Sequence, residues 1–128
     1  MESWRKVWRE GIAQCLTENN LRALKEGLLK DDNRITQGST TTPPPLMICQ
    51  DYPIEAACPI GYAGWKSEGL ETVGQVEEFF ARICYETDQK IGEAAVIRWF
   101  LNWVDDSPRQ EVIKELLTEV EITLKERE

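Results

Sequence analysis

The chain has 128 residues, 41% of them apolar and 30% charged, with five tryptophans, no histidine and a net charge of −8. That length is enough to withdraw roughly two-thirds of the unfolded surface from water, and the mixed composition is that of a globular domain, not of a disordered chain. It excludes the lysine and arginine excess from which nucleic-acid binding draws its affinity, any apolar run near the roughly 18–20 residues of a membrane span, and every mechanism built on an imidazole, from Ser-His-Asp and Cys-His nucleophiles to the HExxH zinc site.

In chain order, Trp4, Trp8, Ile12, Cys15 and Leu16 recur at spacings of three and four, the period of an amphipathic helix. The stretch from Thr17 to Asn20 interrupts it, and Asn20 reads as the N-cap of a second helix carrying Leu21, Leu24 and Leu28. Residues 33–71 carry no regular signal and are expected to wrap over the core as irregular chain. Within them "GSTTTPPPLMICQ" imposes extended geometry at Pro43, Pro44 and Pro45, and it reads as a stiff strap pinned by Leu46 and Ile48. Pro53 fits a first helical position before "IEAA", whereas Pro59, Gly61 and Gly64 argue against a helix through "CPIGYAGW".

The helical signal returns at Thr72, which with Gln75 forms a capping box before Val76, Phe79, Phe80, Ile83 and Cys84, and Gly92 is the stop. A fourth helix over "EAAVIRWFLNWV" is apolar nearly all round and is expected to be buried on most sides. Ser107 as N-cap, Pro108 at the first helical position and Gln110 then open a fifth helix, with Val112, Ile113, Leu116, Leu117, Val120 and Leu124 as its apolar stripe. The sequence therefore predicts one all-α domain of about five helices. Its core is expected to include Trp8, Ile12, Leu24, Leu28, Phe79, Phe80, Ile83, Val96, Phe100, Trp103, Val112, Leu116, Leu117 and Val120.

Four features are candidates for function. The long segment 38–65 brings Tyr52, Tyr62 and Trp65 together with Cys49 and Cys58, which suits a lined pocket or a contact surface, or simply plugs the core. Arg98, Asn102 and Asp105 share one face of the fourth helix. There Arg98 either grips an anionic ligand or pairs with a neighbouring acid. Asp105 and Asp106 precede a helix and are expected to serve its N-terminus rather than chemistry, and the run from Asp31 fails the calcium-loop pattern because Thr36 and Thr42 stand where Gly and Glu are required.

Charge supplies the last candidate. Residues 1–30 hold six Lys/Arg against four Asp/Glu, net +2, leaving nine against nineteen, net −10, in residues 31–128. Trp4, Arg5 and Arg9 therefore form a basic, aromatic face for docking an acidic partner or the acidic part of the same fold, and Glu111, Glu115 and Glu119 form an acidic face on the last helix. Glu2 and Glu10 weaken any membrane-surface reading of the first helix.

Cys15, Cys49, Cys58 and Cys84 include no CxxC pair, so neither a metal nor a cofactor is expected. The first residues, "MESWRKVWREGIAQCL", lack a continuous apolar segment and a small-residue cleavage site. That predicts a cytoplasmic setting with reduced thiols. No catalytic residue is assigned. The leading expectation is a non-catalytic interaction protein that binds itself or another protein through the first helix or the strap. The rival is a small-ligand domain with an anion-gripping pocket between residues 38–65 and the fourth helix.

Overall fold

A computed structural model describes residues 3–128, so Glu2 lies outside the described residues. The fold is mainly α-helical, with one very small sheet. The first helical rod consists of α1 (Trp4–Val7), a π-helical turn (Trp8–Ile12) and α2 (Ala13–Cys15). Its last carbonyls, those of Ala13 and Leu16, accept from the guanidinium of Arg127 at 2.5 and 3.0 Å. A cation from the chain's other end thus satisfies acceptors that a helix terminus leaves open.

Helix α3 (Glu18–Leu29) begins two residues before the expected cap. Thr17 is the N-cap, and Asn20 is its capping-box partner, accepting from the Thr17 N–H at 2.9 Å. Asn20 also donates to Ser67 and Glu68, so its amide serves two helices at once.

The segment beyond α3 departs most from the sequence reading. Helix α4 runs Pro59–Glu68, straight through Gly61 and Gly64, while Pro53 to Ala57 is not helical. Instead β1 (Thr41–Thr42) pairs antiparallel with β2 (Ala56–Ala57), and Pro53 bridges Thr72. The donors that a helix at "IEAA" would have used go elsewhere: Ile54 N–H to Glu71, Glu55 N–H to Thr42 and Ala57 N–H to Arg34.

The glycines of α4 do not break it, because they are where neighbouring helices touch it. A Cβ at Gly64 would stand 2.5 Å from Cγ of Phe79, and one at Gly27 of α3 would stand 2.7 Å from the Tyr62 hydroxyl oxygen. Helix propensity charges glycine about 1 kcal/mol, but here the missing side chain admits an aromatic ring on each side.

Helix α5 (Val73–Ile91) has the expected Thr72–Gln75 capping box and ends at Gly92, whose φ is +86°. The next helix, α6, is shorter than expected, Arg98–Asp106. Residues 93–97 form turns because the Asp88 carboxylate accepts from the N–H groups of Ala95 and Ile97 at 3.0 and 3.1 Å, with Ala95 at φ +57°. Nor is α6 buried all round: Phe100 and Val104 face the core, Leu101 and Trp103 are half-buried, and Trp99 is exposed.

Helix α7 runs Arg109–Glu126. Its N-cap is Pro108, whose carbonyl accepts from Glu111 and Val112, and Ser107 closes α6 instead. The core joins Trp8, Ile12, Leu24, Leu28, Phe79, Ile83, Val96, Phe100, Val112, Leu116 and Val120, with Phe80, Trp103 and Leu117 half-buried at its edge. Gly64→Ala separates the two effects at that glycine. Propensity favours the alanine by up to about 1 kcal/mol, whereas intrusion on Phe79 costs roughly 1–3 kcal/mol. The urea midpoint of the variant is therefore expected to fall, at unchanged m-value.

Candidate functional site

The basic face of the first rod is engaged within the chain. Arg9 reaches the Glu119 carboxylate with two donors, Nε at 2.8 Å and Nη2 at 2.9 Å, and Arg5 lies 2.5 Å from Glu115 and 3.4 Å from Glu119. Glu119 is only 2% exposed, and a buried carboxylate requires such partners. Trp4 stacks on Trp103 with ring centroids 3.6 Å apart and planes 7° from parallel, and the Arg5 guanidinium lies over the Trp4 ring, 4.7 Å from its centroid. Trp8 is fully buried and donates its indole N–H to Thr123 at 3.2 Å. The acidic face of the last helix and the basic face of the first therefore meet each other in one molecule.

Arg98 and Asn102 lie on the exposed side of α6. Arg98 does not pair with Asp105, which accepts the Gly38 N–H at 2.9 Å rather than capping α7. The space between the strap and α6, bounded by Gly38, Thr40, Cys58, Leu101 and Asp105, holds about 150 Å³. That is below the roughly 300 Å³ at which ligand pockets begin, and Arg98 does not line it.

Of the aromatic residues in segment 38–65, Tyr62 and Trp65 come together, with ring centroids 5.9 Å apart and edge-on, and Tyr52 stands apart and exposed. Tyr62 donates its hydroxyl to Asp32 Oδ2 at 2.7 Å. The same carboxylate takes Arg34 Nε at 3.0 Å, Arg34 Nη2 at 2.7 Å and the Arg34 backbone N–H at 3.0 Å. These bonds, the guanidinium's first among them, hold the Asp32 carboxyl well below the usual carboxylate range, and burial together with the Asp32 partnership pushes the Tyr62 hydroxyl up. Arg34 lies over the Trp65 ring at 5.6 Å and Lys66 at 4.3 Å.

Sequence reasoning found the two aromatics but not Asp32, Arg34 or Lys66. The one available signal was the pair Asp32 and Arg34, two residues apart and bounding a turn, and that spacing does not reveal a tyrosine thirty positions away.

The strap lies otherwise than expected. Leu46, Met47 and Ile48 are 57%, 92% and 76% exposed, so they do not pin it. Thr41, Cys49 and Ile54 are its buried residues, and Met47–Cys49 is a 3₁₀ turn. Backbone bonds moor the segment to the start of α5: Val73 N–H to Tyr52 at 2.9 Å and Gly74 N–H to Gln50 at 2.9 Å. The apolar triplet is therefore presented outward at the tip of an ordered strap.

All four cysteines are free. Burial pushes the thiols of Cys58 and Cys84 up to about 12 and raises that of Cys15, so none of the three carries the thiolate that nucleophilic chemistry needs near neutral pH. Among the described residues, no three Cys, Asp or Glu side chains converge as metal ligands, and no helix is long and apolar enough to cross a membrane. No model of a known family, no curated protein and no solved structure matches the chain.

Two expectations follow. Arg9→Met leaves the buried Glu119 short of its bidentate partner, whereas Glu115→Gln removes a half-exposed carboxylate. In urea denaturation the Arg9 variant is expected to lose clearly more stability than the Glu115 variant. For Asp32 the folded pKa lies below the unfolded value of about 3.9. Its contribution is therefore present above that value and is lost as pH falls through the lower folded one. Asp32→Asn is expected to flatten the decline in stability below about pH 4, measured as the urea midpoint against pH.

Proposed function

We propose that the chain is a non-catalytic, cytoplasmic interaction module that docks an apolar groove on another protein through Leu46, Met47 and Ile48. The observation that carries this reading is the outward display of three consecutive large apolar side chains on an ordered strap. An exposed apolar cluster of this kind marks a contact surface. Pro43, Pro44 and Pro45 lead directly into the triplet and restrict its backbone. Binding therefore loses less conformational entropy than it would for a free peptide.

Charge selects the partner's character. Exposed Asp51, Glu55 and Glu71 lie beside the tip in sequence or across the strap's mooring, and the whole chain carries −8. A groove rimmed by Lys and Arg complements this surface, whereas a second copy of an acidic chain opposes it. The first rod's arginines, the residues that would have drawn an acidic face of another copy, are held by Glu115 and Glu119. Burial raises the thiols of Cys58 and Cys84, which argues against either as a nucleophile.

The test places a photo-crosslinking amino acid at Met47, and separately at exposed Tyr85 as a control, in cells that make the protein naturally. The expected result is a discrete heterologous adduct from position 47, absent from position 85. The adduct is lost in Leu46→Ser/Ile48→Ser, and its mapped partner peptide is apolar and flanked by Lys or Arg. The double variant is expected to stay within about 0.5 kcal/mol of the parent in stability, since both side chains are exposed. No adduct, an adduct that survives the double variant, or one with a second copy of the chain overturns the reading.

A further inference from the structure

Between α3 and α4 a cleft of about 280 Å³ is lined by Glu26, Lys30, Asp32, Arg34, Tyr62 and Lys66. Its charges do not balance. Lys30 is matched by Glu26 at 2.7 Å and Arg34 by Asp32 at 2.7 Å. Lys66 has no carboxylate within ion-pairing distance among the described residues, and it rests instead on the Trp65 ring at 4.3 Å. The cleft thus holds three cations and two carboxylates, a surplus of one positive charge.

We propose that this cleft binds a small oxyanion, a carboxylate or phosphate group, between the Lys66 ammonium and the Arg34 guanidinium. Two cations share the surroundings of one indole ring, Lys66 at 4.3 Å and Arg34 at 5.6 Å, and an anion between them replaces their mutual repulsion with two attractions. Arg34 commits Nε and Nη2 to Asp32, and a guanidinium has five N–H donors, so donors remain for a ligand oxygen. The Asp32 bonds also fix the guanidinium in place, so that little rotamer entropy is lost on binding.

Tyr62 contributes differently. Its hydroxyl is already given to Asp32, so it supplies an apolar wall and an oriented carboxylate rather than a donor to the ligand. Desolvation beside its neighbours and the nearby Arg34 charge lower the affinity of Lys66 for its proton, against a smaller opposing pull from the Asp32 carboxylate. The cleft is too small for a drug-sized molecule, and it fits an oxyanion carried on a small body. This inference rests on the cleft between α3 and α4 alone, not on the exposed tip of the strap.

The test is a ¹H–¹⁵N titration of the full chain at low ionic strength with sodium acetate and, separately, sodium phosphate, against sodium chloride at matched ionic strength. The expected result is a saturable shift of the Trp65 indole N–H and the Arg34 Nε–H with acetate, phosphate or both, and none with chloride. The saturating anion identifies the ligand as carboxylate or phosphate. Lys66→Met is expected to weaken binding by about tenfold or more, the loss of a charge-assisted hydrogen bond, and Lys66→Arg to restore much of it. Lys66 is exposed, so both variants keep the parent spectrum elsewhere. Absence of saturation with either anion, or unchanged binding in Lys66→Met, overturns the proposal.

Discussion

A carboxylate that is 2% exposed in the middle of the last helix constrains everything packed near it. Glu119 keeps its charge inside the fold only if cations come to it, and the cations that come are Arg5 and Arg9, one helical turn apart on the first rod. Glu115, one turn before Glu119, takes the second donor group of Arg5. The match of two arginines to two glutamates sets the register of α1 and the π-helical turn against α7. That register delivers Trp8 to Thr123, four residues beyond Glu119, and Trp4 to the face of Trp103. Electrostatics and apolar packing thus enforce one alignment, and Arg127 closes it by holding the far end of the same rod.

The same alignment settles where charge is and is not free. The positive excess of residues 1–30 is largely absorbed by the acidic last helix, so the unevenness visible along the sequence is mostly an internal complementarity. What the surface retains is net acid, with the strap's apolar tip set in it. Burying a large aliphatic side chain is worth about 1.5–3 kcal/mol, and a strap that kept Leu46, Met47 and Ile48 outward would forgo that at each position. Cys49 and Ile54, not the triplet, are the apolar residues that this part of the chain buries.

The helices were legible wherever periodicity and caps agreed, as at Thr72, Gln75 and Gly92. They were not legible where long-range contacts decided the matter. Gly61 and Gly64 read as helix breakers because propensity sees the cost of glycine and not the neighbours that occupy the vacated space, Val76 and Ala57 at Gly61 and the Phe79 ring at Gly64. The start of α6 was misplaced because Asp88, seven residues before Ala95, takes the N–H groups that would have extended the helix backwards. For the candidate sites, Tyr62 and Trp65 were visible as aromatics in an irregular stretch. Their partners Asp32 and Arg34 lay in another segment, and the geometry that joins them exists only after α3 and α4 have met across Gly27. Arg98 looked like an anion grip because its helix seemed apolar all round, and an exposed face removes that inference.

The remaining question is what holds an apolar strap in place if its apolar residues do not. The answer lies at its base. Arg109, the first residue of α7, donates to the carbonyls of Ile35 at 2.6 Å and Asp32 at 2.8 Å and to the Asp31 carboxylate. Gln37 donates to the carbonyls of Val104 and Ser107, and Asp105 accepts from Gly38. The strap's outgoing end is therefore clamped by polar groups of the α6–α7 corner, and its returning end is hydrogen-bonded to Thr42, Glu71 and the first turn of α5. Polar clamps at both ends, with a proline run between them, hold the backbone without burying Leu46, Met47 or Ile48. The clamped turn at 32–35 also carries Asp32 and Arg34, so the wall of the cleft and the root of the strap are one piece of chain. A segment fixed in this way can present apolar side chains to solvent and keep its shape.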